Sequence, residues 1–213
     1  LIRQYLCGSG SNPLQDRGVR AFTITLSLEF IAVLAGLVIG YRYGIYLCVL
    51  GGLIGFLMPL TIYRQFVPDK VNFPHLVERL SLIIIITFGE MLVNVTRYFT
   101  GTLVNPLALA IFAFVAVLFG TYIIQSELLI NHHQQTRGFV LMYSHVFTVV
   151  ALLSMTAGLD YLTISAVSQT FLWVFLSVGL IAYYICLYFN GVYNRRGRLG
   201  KSDYGWLALI LVV

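Results

Sequence analysis

Long apolar stretches separated by short polar segments dominate this chain. Each stretch holds about 20 residues, the length that an α-helix needs to cross a bilayer. The pattern therefore predicts an all-α fold, a polytopic transmembrane helix bundle with six full spans and the start of a seventh. The predicted full spans are Ala21 to Gly40, Tyr43 to Ile62, Leu76 to Val95, Pro106 to Gln125, Phe139 to Leu159 and Thr163 to Tyr188, and Tyr204 to Val213 begins the seventh.

Composition supports a membrane protein. The chain is 59% hydrophobic and only 10% charged, against roughly 25% charged residues in an average soluble domain. No linker is long enough to divide soluble domains, so residues 1–213 are expected to form a single membrane-embedded domain. Because the chain begins at Leu1 without Met and ends at Val213 inside an apolar run, we also expect it to be part of a longer protein.

Basic residues alternate between the two predicted sides of the membrane. Eleven of the thirteen Lys and Arg residues lie on one side, and only Arg42 and Arg97 lie on the other. The positive-inside rule then puts Leu1 and the basic loop 190–203 in the cytoplasm, as expected for a multi-pass protein of the cell inner (plasma) membrane. The eleven are Arg3, Arg17, Arg20, Arg64, Lys70, Arg79, Arg137, Arg195, Arg196, Arg198 and Lys201.

Because the net charge of +5 is spread between apolar stretches, it predicts topology and no binding of nucleic acid. The expected partner is the lipid bilayer, and other membrane subunits or a second copy of the chain are further candidates. Nothing in the sequence identifies a cofactor.

The third predicted span carries an unusual set of polar residues. At about 100° per residue, His75 and Arg79 are neighbours, and Glu90 returns to within roughly 20° of Arg79. The same stripe continues through Asn94 and Arg97. The pattern predicts one polar stripe that faces the interior of the bundle.

Glu90 is the most informative residue of this stripe. It lies about 20 Å along the helix from Leu76, past the midplane of the bilayer. A carboxylate at that depth costs several kcal/mol, so it is by default a candidate functional site. Glu90 and Asn94 are therefore predicted to form a polar core or transport site. The alternative is that Glu90 is protonated, or paired across helices, and serves packing alone.

The residues His75, Glu78 and Arg79 lie at the start of the same span, where they are predicted to form a cytoplasmic gate. The alternative is that they only cap the helix or extend to the headgroups, which is common for charged residues at span ends.

Two further polar residues lie inside predicted spans. Glu29 is about eight residues into the first span, where nearby Thr23 and Ser27 could line a cavity or bond back to helix carbonyls. His145 is roughly 9 Å inside the fifth span. A lone histidine there is often a satisfied core residue, but its titration near neutrality makes it the best candidate for a proton relay.

Several kinds of chemistry find no support. A retinal protein needs a lysine at mid-membrane, and Lys70 and Lys201 both fall in connections. No nucleophile with an aligned base is evident, so no catalytic residue is predicted and the protein is not expected to be an enzyme. Glu127, His132 and His133 lack the spacing of two ligands on one helical face, and Cys7, Cys48 and Cys186 form no CxxC pair, so no metal site is predicted either.

The string His75-x-x-Glu78-Arg79, followed by an apolar run that ends in Gly89-Glu90, resembles the signature helix of the low temperature requirement A (LtrA) family of bacterial membrane proteins. Met58-Pro59 before it and Tyr143-Ser144-His145 after it agree with this resemblance, which covers roughly Tyr43 to Leu159. An early family motif rich in Glu, Phe and Asp is not found here. The resemblance implies a membrane protein with a link to growth in the cold, and it implies no specific activity.

The sequence therefore favours a transporter or channel-like protein for an ion, a proton or a small polar solute. In this hypothesis Glu90 is the central site and Glu29 and His145 are its partners. The second hypothesis is a non-catalytic structural subunit of a larger membrane complex. The 14 Tyr and 15 Phe residues would suit this role, because aromatic side chains can form surfaces for lipids, pigments or partner proteins. A membrane enzyme ranks third.

Overall fold

The computed structural model describes residues 13–61, 63, 71–99, 105–162, 164 and 167–195, and within this part of the chain it is helical. Each predicted full span overlaps one long helix, but the first helix begins eight residues before the predicted span and the sixth begins six residues after it. The helices are α1 (Pro13–Ile39), α2 (Tyr41–Thr61), α3 (Phe73–Val95), α4 (Pro106–Ile123), α5 (Phe139–Tyr161) and α6 (Gln169–Asn190).

Four described helices are long and apolar enough to cross a membrane: Arg42–Thr61, Pro106–Leu129, Phe139–Tyr161 and Gln169–Tyr193. The apolar part of α1, Thr23–Ile39, is shorter. The count of six crossings thus stays a prediction, and the predicted start of a seventh at residues 204–213 lies outside the described residues.

The described chain divides into two compact units. The first unit contains α1, α2 and residues 135–137. Gly40 is the only residue between the two helices and has φ of +91°, a left-handed conformation that favours glycine. The helices then approach closely, since a Cβ on Gly36 would lie 2.6 Å from the carbonyl oxygen of Gly44.

The second unit contains α3 to α6. Helix α3 packs against α4 and α5, and α5 packs along α6. The larger apolar core cluster of this unit is built around residues such as Phe88, Leu118, Leu152 and Tyr183, and a smaller one contains Phe73, Leu141 and Tyr193. Small residues allow the close packing of α5 and α6, because a Cβ on Gly179 would lie 2.7 Å from Cγ of Met155.

One end of the second unit gathers the start of α3, the end of α4, the start of α5 and the end of α6. Here α4 continues as a π-helix, Ile124–Leu129, and α6 as a 3-10 turn, Gly191–Tyr193. An isolated bridge joins Ile130 to Asn194, and the ring of Phe73 packs on that of Tyr193. On the sequence-based topology this is the cytoplasmic end, and we call it the basal end of the unit.

Candidate functional site

A chain of hydrogen bonds between buried side chains crosses from α3 through α4 to α5. The hydroxyl of Tyr122 lies 3.2 Å from Oγ of Ser81 and 3.0 Å from Nε2 of His145. All three residues are buried, with exposed fractions of 5% for Ser81, 1% for Tyr122 and 4% for His145. Three helices thus each contribute one polar side chain to a single connected path inside an apolar core.

The bonds of His145 determine the direction of this chain. Its Nδ1 lies 2.7 Å from the carbonyl oxygen of Leu141, which can only accept, so Nδ1 carries the hydrogen. In the neutral ring Nε2 is then the acceptor, and Tyr122 donates its single hydroxyl hydrogen to it. In the structure the hydroxyl of Tyr122 is placed to donate to Oγ of Ser81, so in this neutral state the hydroxyl of Ser81 has to turn and donate to Tyr122 instead.

In a second state of the same hydrogen-bonded path, donor and acceptor are exchanged in both bonds. When the ring is protonated, Nε2 donates to the oxygen of Tyr122, and the hydroxyl of Tyr122 donates to Ser81. Ser81 takes up a proton from outside the path, its own proton passes to Tyr122, and the proton of Tyr122 passes to Nε2 of His145; this transfer reverses both bonds and needs no large displacement of a side chain. A proton relay requires this property.

This hydrogen-bonded path begins at Ser81, in the wall of a pocket. A cavity of about 440 Å³ at the basal end is lined by Ser81 and by Pro74, His75, Glu78, Leu82, Ile85, Glu127 and His132. His75, Glu78 and Glu127 are exposed, and Nδ1 of His75 lies 3.2 Å from Oε2 of Glu78. The buried hydrogen-bonded path is thus connected, through Ser81, to a pocket lined by two histidine and two glutamate side chains.

The π-helix at the end of α4 shapes one wall of this pocket. It begins at Ile124, directly after Tyr122-Ile123, and contains Glu127. The following turn is fixed by His132, whose Nε2 lies 2.8 Å from the carbonyl oxygen of Ser126. Such π-segments occur often at functional sites because they re-aim side chains that an α-helix would direct elsewhere.

On the other side of His145 a polar contact reaches α6. The hydroxyl of Ser144 donates to Oδ1 of Asn190, and both side chains are buried. Further along α5, the buried core residues Leu152 and Met155 pack with Phe88 of α3. An apolar layer therefore separates His145 from the opposite end of the unit.

At that opposite end, α3 is tied to α5 by polar contacts. Nδ2 of buried Asn94 donates to the carbonyl oxygen of Thr156 at 3.0 Å, and Arg97 pairs with Asp160 at 2.8 Å. Tyr98 donates to the carbonyl oxygen of Leu159. Burial, with a smaller effect of the Asp160 carboxylate, raises the pKa of Tyr98, so its hydroxyl stays a donor.

The structure corrects the prediction that the polar stripe of α3 faces the interior. The packed face of α3 carries Ile84, Phe88 and Met91, and Arg79 and Glu90 lie about 120° to 140° from Ile84 around the helix. Both are exposed, and neither has a hydrogen-bond or ion-pair partner among the described residues. The charged residues of the stripe do share one side of the helix. That side faces away from the packed core, and only Asn94, at its edge, is buried.

The remaining candidate residues have different surroundings. Glu29 belongs to the first unit, where its carboxyl group lies against the backbone of Gly55, and Ser27 bonds back to the carbonyl oxygen of Thr23 at 2.8 Å. In the second unit, exposed Glu90 and buried His145 make no bond to each other. Of the predicted gate, His75 and Glu78 line the pocket, whereas Arg79 is not among its lining residues.

Sequence reasoning missed Ser81, Tyr122 and Asn190. Ser81 lies on the apolar face of α3, and Tyr122 is one of 14 tyrosines in a chain where aromatic residues are common. Only the register between three helices reveals their contact. Within the described residues, no group of three or more His, Cys, Asp or Glu side chains could hold a metal ion.

Comparison with protein-family models adds a match over the whole chain. The model described as bacterial low temperature requirement A protein (LtrA) covers residues 1–213. This chain belongs to the LtrA family. The match extends the resemblance seen in the sequence from its central part to both ends of the chain, and it includes every residue of the relay.

Comparison with curated proteins and with solved structures gave no match. The LtrA match and four helices of span length together identify the chain as an integral, multi-pass membrane protein whose environment is the lipid bilayer.

Proposed function

We propose that this LtrA-family protein moves protons, or a solute whose passage is coupled to protons, through its second unit. In this function His145 binds the proton, and Tyr122 and Ser81 carry it between His145 and the basal pocket. The observation that supports this most directly is the continuous chain from a pocket-lining hydroxyl to a buried imidazole.

The chemistry of His145, Tyr122 and Ser81 fits this function. Histidine is the side chain that binds and releases protons near neutral pH. A hydroxyl can accept one proton while it donates another, so Tyr122 and Ser81 transfer protons without holding a charge. The exposed pair of His75 and Glu78 would exchange protons with water at the pocket mouth.

The apolar layer beyond His145 gives the proposal a further requirement. Apolar core residues such as Leu152 and Met155 lie between the imidazole and the opposite end of the unit. Transport therefore needs a second conformation in which His145 becomes accessible from the opposite end. In this proposal, His145 exchanges protons with the basal pocket in the described conformation.

A second candidate function is that of a structural subunit in a larger membrane complex. The exposed Arg79 and Glu90 favour it, because charged side chains on a membrane helix are costly unless they meet a partner. A neighbouring subunit with matching polar groups would provide one.

Proton flux in liposomes tests the first candidate. Purified protein is reconstituted into vesicles that contain a pH-sensitive dye, and a potassium diffusion potential drives protons inward. We expect wild-type flux above that of empty vesicles and a fall to that background in His145→Gln, because glutamine keeps the size but cannot bind the proton. His133→Gln, at an exposed loop position, is the matched control and should conduct as the wild type does.

The two candidates give different results in this assay. Flux that is equal in wild type and His145→Gln would rule out the relay. If wild-type vesicles carried no proton flux under any imposed gradient, the structural-subunit function would be favoured instead.

Orientation is a separate proposal: the basal end faces the cytoplasm of the inner membrane. In a variant without Cys7, Cys48 and Cys186, a cysteine replaces either exposed His133 at the basal end or exposed Ile164 between α5 and α6. A membrane-impermeant maleimide applied to intact cells should label the Ile164→Cys protein and spare the His133→Cys protein. The reverse pattern would overturn the topology.

A further inference from the structure

The first unit contains a carboxyl group in an uncommon position. A Cβ built on Gly55 of α2 would lie 2.6 Å from the carboxyl carbon of Glu29 on α1 and 2.9 Å from its Oε1. Side chains essentially never approach so closely, so the carboxyl group occupies the space that any other residue at position 55 would fill. Glycine at 55 is therefore a notch in α2 that receives the acid of α1.

The residues around this notch are small or have apolar side chains. One turn earlier on α2, a Cβ on Gly51 would lie 3.0 Å from Cβ of Ala32. Gly51 and Gly55 form the small-xxx-small spacing that lets membrane helices approach closely. Ile54 and Leu57 flank the notch along the sequence. Glu29 and Gly55 are each partly exposed, so the carboxyl group lies at the edge of the hairpin among these apolar residues.

Glu29 makes no hydrogen bond or ion pair with another described residue. On these two helices the charged residues nearest to it with described side chains are Arg20 and Arg42. Arg20 is nine residues before Glu29, or about 13 Å along the helix, and Arg42 is thirteen residues before Gly55, or about 20 Å. The closest other titratable group on α2 is Cys48, seven residues before Gly55 and bonded to the carbonyl oxygen of Val33 at 3.8 Å.

An ionised carboxylate without a counter-charge is costly in such a place, whereas a protonated carboxyl group is neutral. We propose that Glu29, held in the notch of Gly55, forms a second proton-binding site of this protein, located between the two helices of the first unit. The ligand is a proton, and Gly55 is its positioning residue. This site is separate from the relay of the second unit and exists whether or not that relay conducts.

A hydrophobic carbodiimide tests the protonated state directly. Dicyclohexylcarbodiimide partitions into membranes and adds only to protonated carboxyl groups. The proton goes to nitrogen, the carboxyl oxygen bonds to the central carbon, and the adduct rearranges to a stable acylurea. Wild-type protein in liposomes is treated across a range of pH, and modified peptides are identified by mass spectrometry.

We expect Glu29 to be labelled, more slowly as pH rises, and Glu29→Gln to lose this adduct. Exposed Glu78 is the internal control, because it should react with a water-soluble carbodiimide instead. Glu29 labelled by the water-soluble reagent, or left unlabelled by both, would overturn the proposal.

A double-mutant cycle tests the notch itself, and its readout does not depend on flux. Gly55→Ala should lower the folded-to-unfolded ratio about fivefold to thirtyfold in the wild-type background, because the new methyl group collides with the carboxyl group. In a Glu29→Ala background the space is empty, and Gly55→Ala should have little effect. Gly52→Ala is the matched control, because nothing lies within 4 Å of a Cβ at that position. Equal effects of Gly55→Ala in both backgrounds would show that Glu29 does not occupy the notch.

Discussion

Tyr122→Phe is expected to reduce proton flux in liposomes by at least about tenfold, since positioned proton-transfer groups contribute about 10²- to 10⁴-fold to rates. The phenyl ring fills the same volume in the core, so the packing of α3, α4 and α5 is kept. Only the hydroxyl that links Ser81 to His145 is lost. Removing it interrupts the relay between the pocket and the imidazole, and dye-loaded vesicles measure the result.

The second unit offers a close control for this variant. The hydroxyl of Tyr183 is equally buried and donates to the carbonyl oxygen of Leu118 at 2.7 Å, outside the relay. Tyr183→Phe and Tyr122→Phe should each cost about 1 to 3 kcal/mol of stability, because each leaves a buried polar group without its partner. Only Tyr122→Phe should abolish flux. Similar flux in the two variants would mean that the path does not pass through Tyr122.

The long helices were largely predictable because a bilayer requires apolar runs of a characteristic length in the sequence. Span-length apolar runs located all six long helices, and Pro106 and Phe139 mark the observed starts of α4 and α5. The pattern could not locate the π-helix after Ile123, because the predicted span simply ends at Gln125. It also could not show that α1 and α2 form a compact unit of their own.

The site was less predictable, for a physical reason that α3 illustrates. In a soluble helix the polar side faces water and the apolar side faces the core, so sequence gives the orientation. In a membrane helix lipid and core are both apolar, and polarity alone does not tell which side packs. The expected inward stripe of Arg79 and Glu90 was wrong for this reason, whereas His145 proved to be buried.

The roles of these residues follow from contacts that a single sequence does not show. His145 was proposed as a proton relay on its chemistry alone, and the structure supplies Tyr122 and Ser81 as its neighbours. Glu127 and His132 were considered only as metal ligands, yet both line the basal pocket. The roles of Glu90, Asn94 and Arg79 in transport stay predictions.

The close approach of α1 and α2 leads to the largest expected loss of stability, which is that of Gly44→Ala. A Cβ at Gly44 would lie 2.7 Å from the carbonyl carbon of Gly36 and even closer to its oxygen. Backbone cannot move aside as a flexible side chain can, so the two helices must separate along their length. We expect a loss of at least about 3 kcal/mol, the upper end of the usual cost of overpacking. This loss exceeds the roughly 1 kcal/mol that alanine gains over glycine in a helix.

Thermal unfolding in detergent, followed by circular dichroism, measures this loss, and Gly52→Ala provides the comparison on the same helix. A Cβ at Gly52 meets nothing within 4 Å, so this variant keeps only the gain in helix propensity and should be as stable as the wild type or more so. Because both variants add one methyl group to α2, the difference between them isolates the contact with α1. Equal stability of the two would contradict the close packing of the hairpin, and with it the notch in which Gly55 receives Glu29.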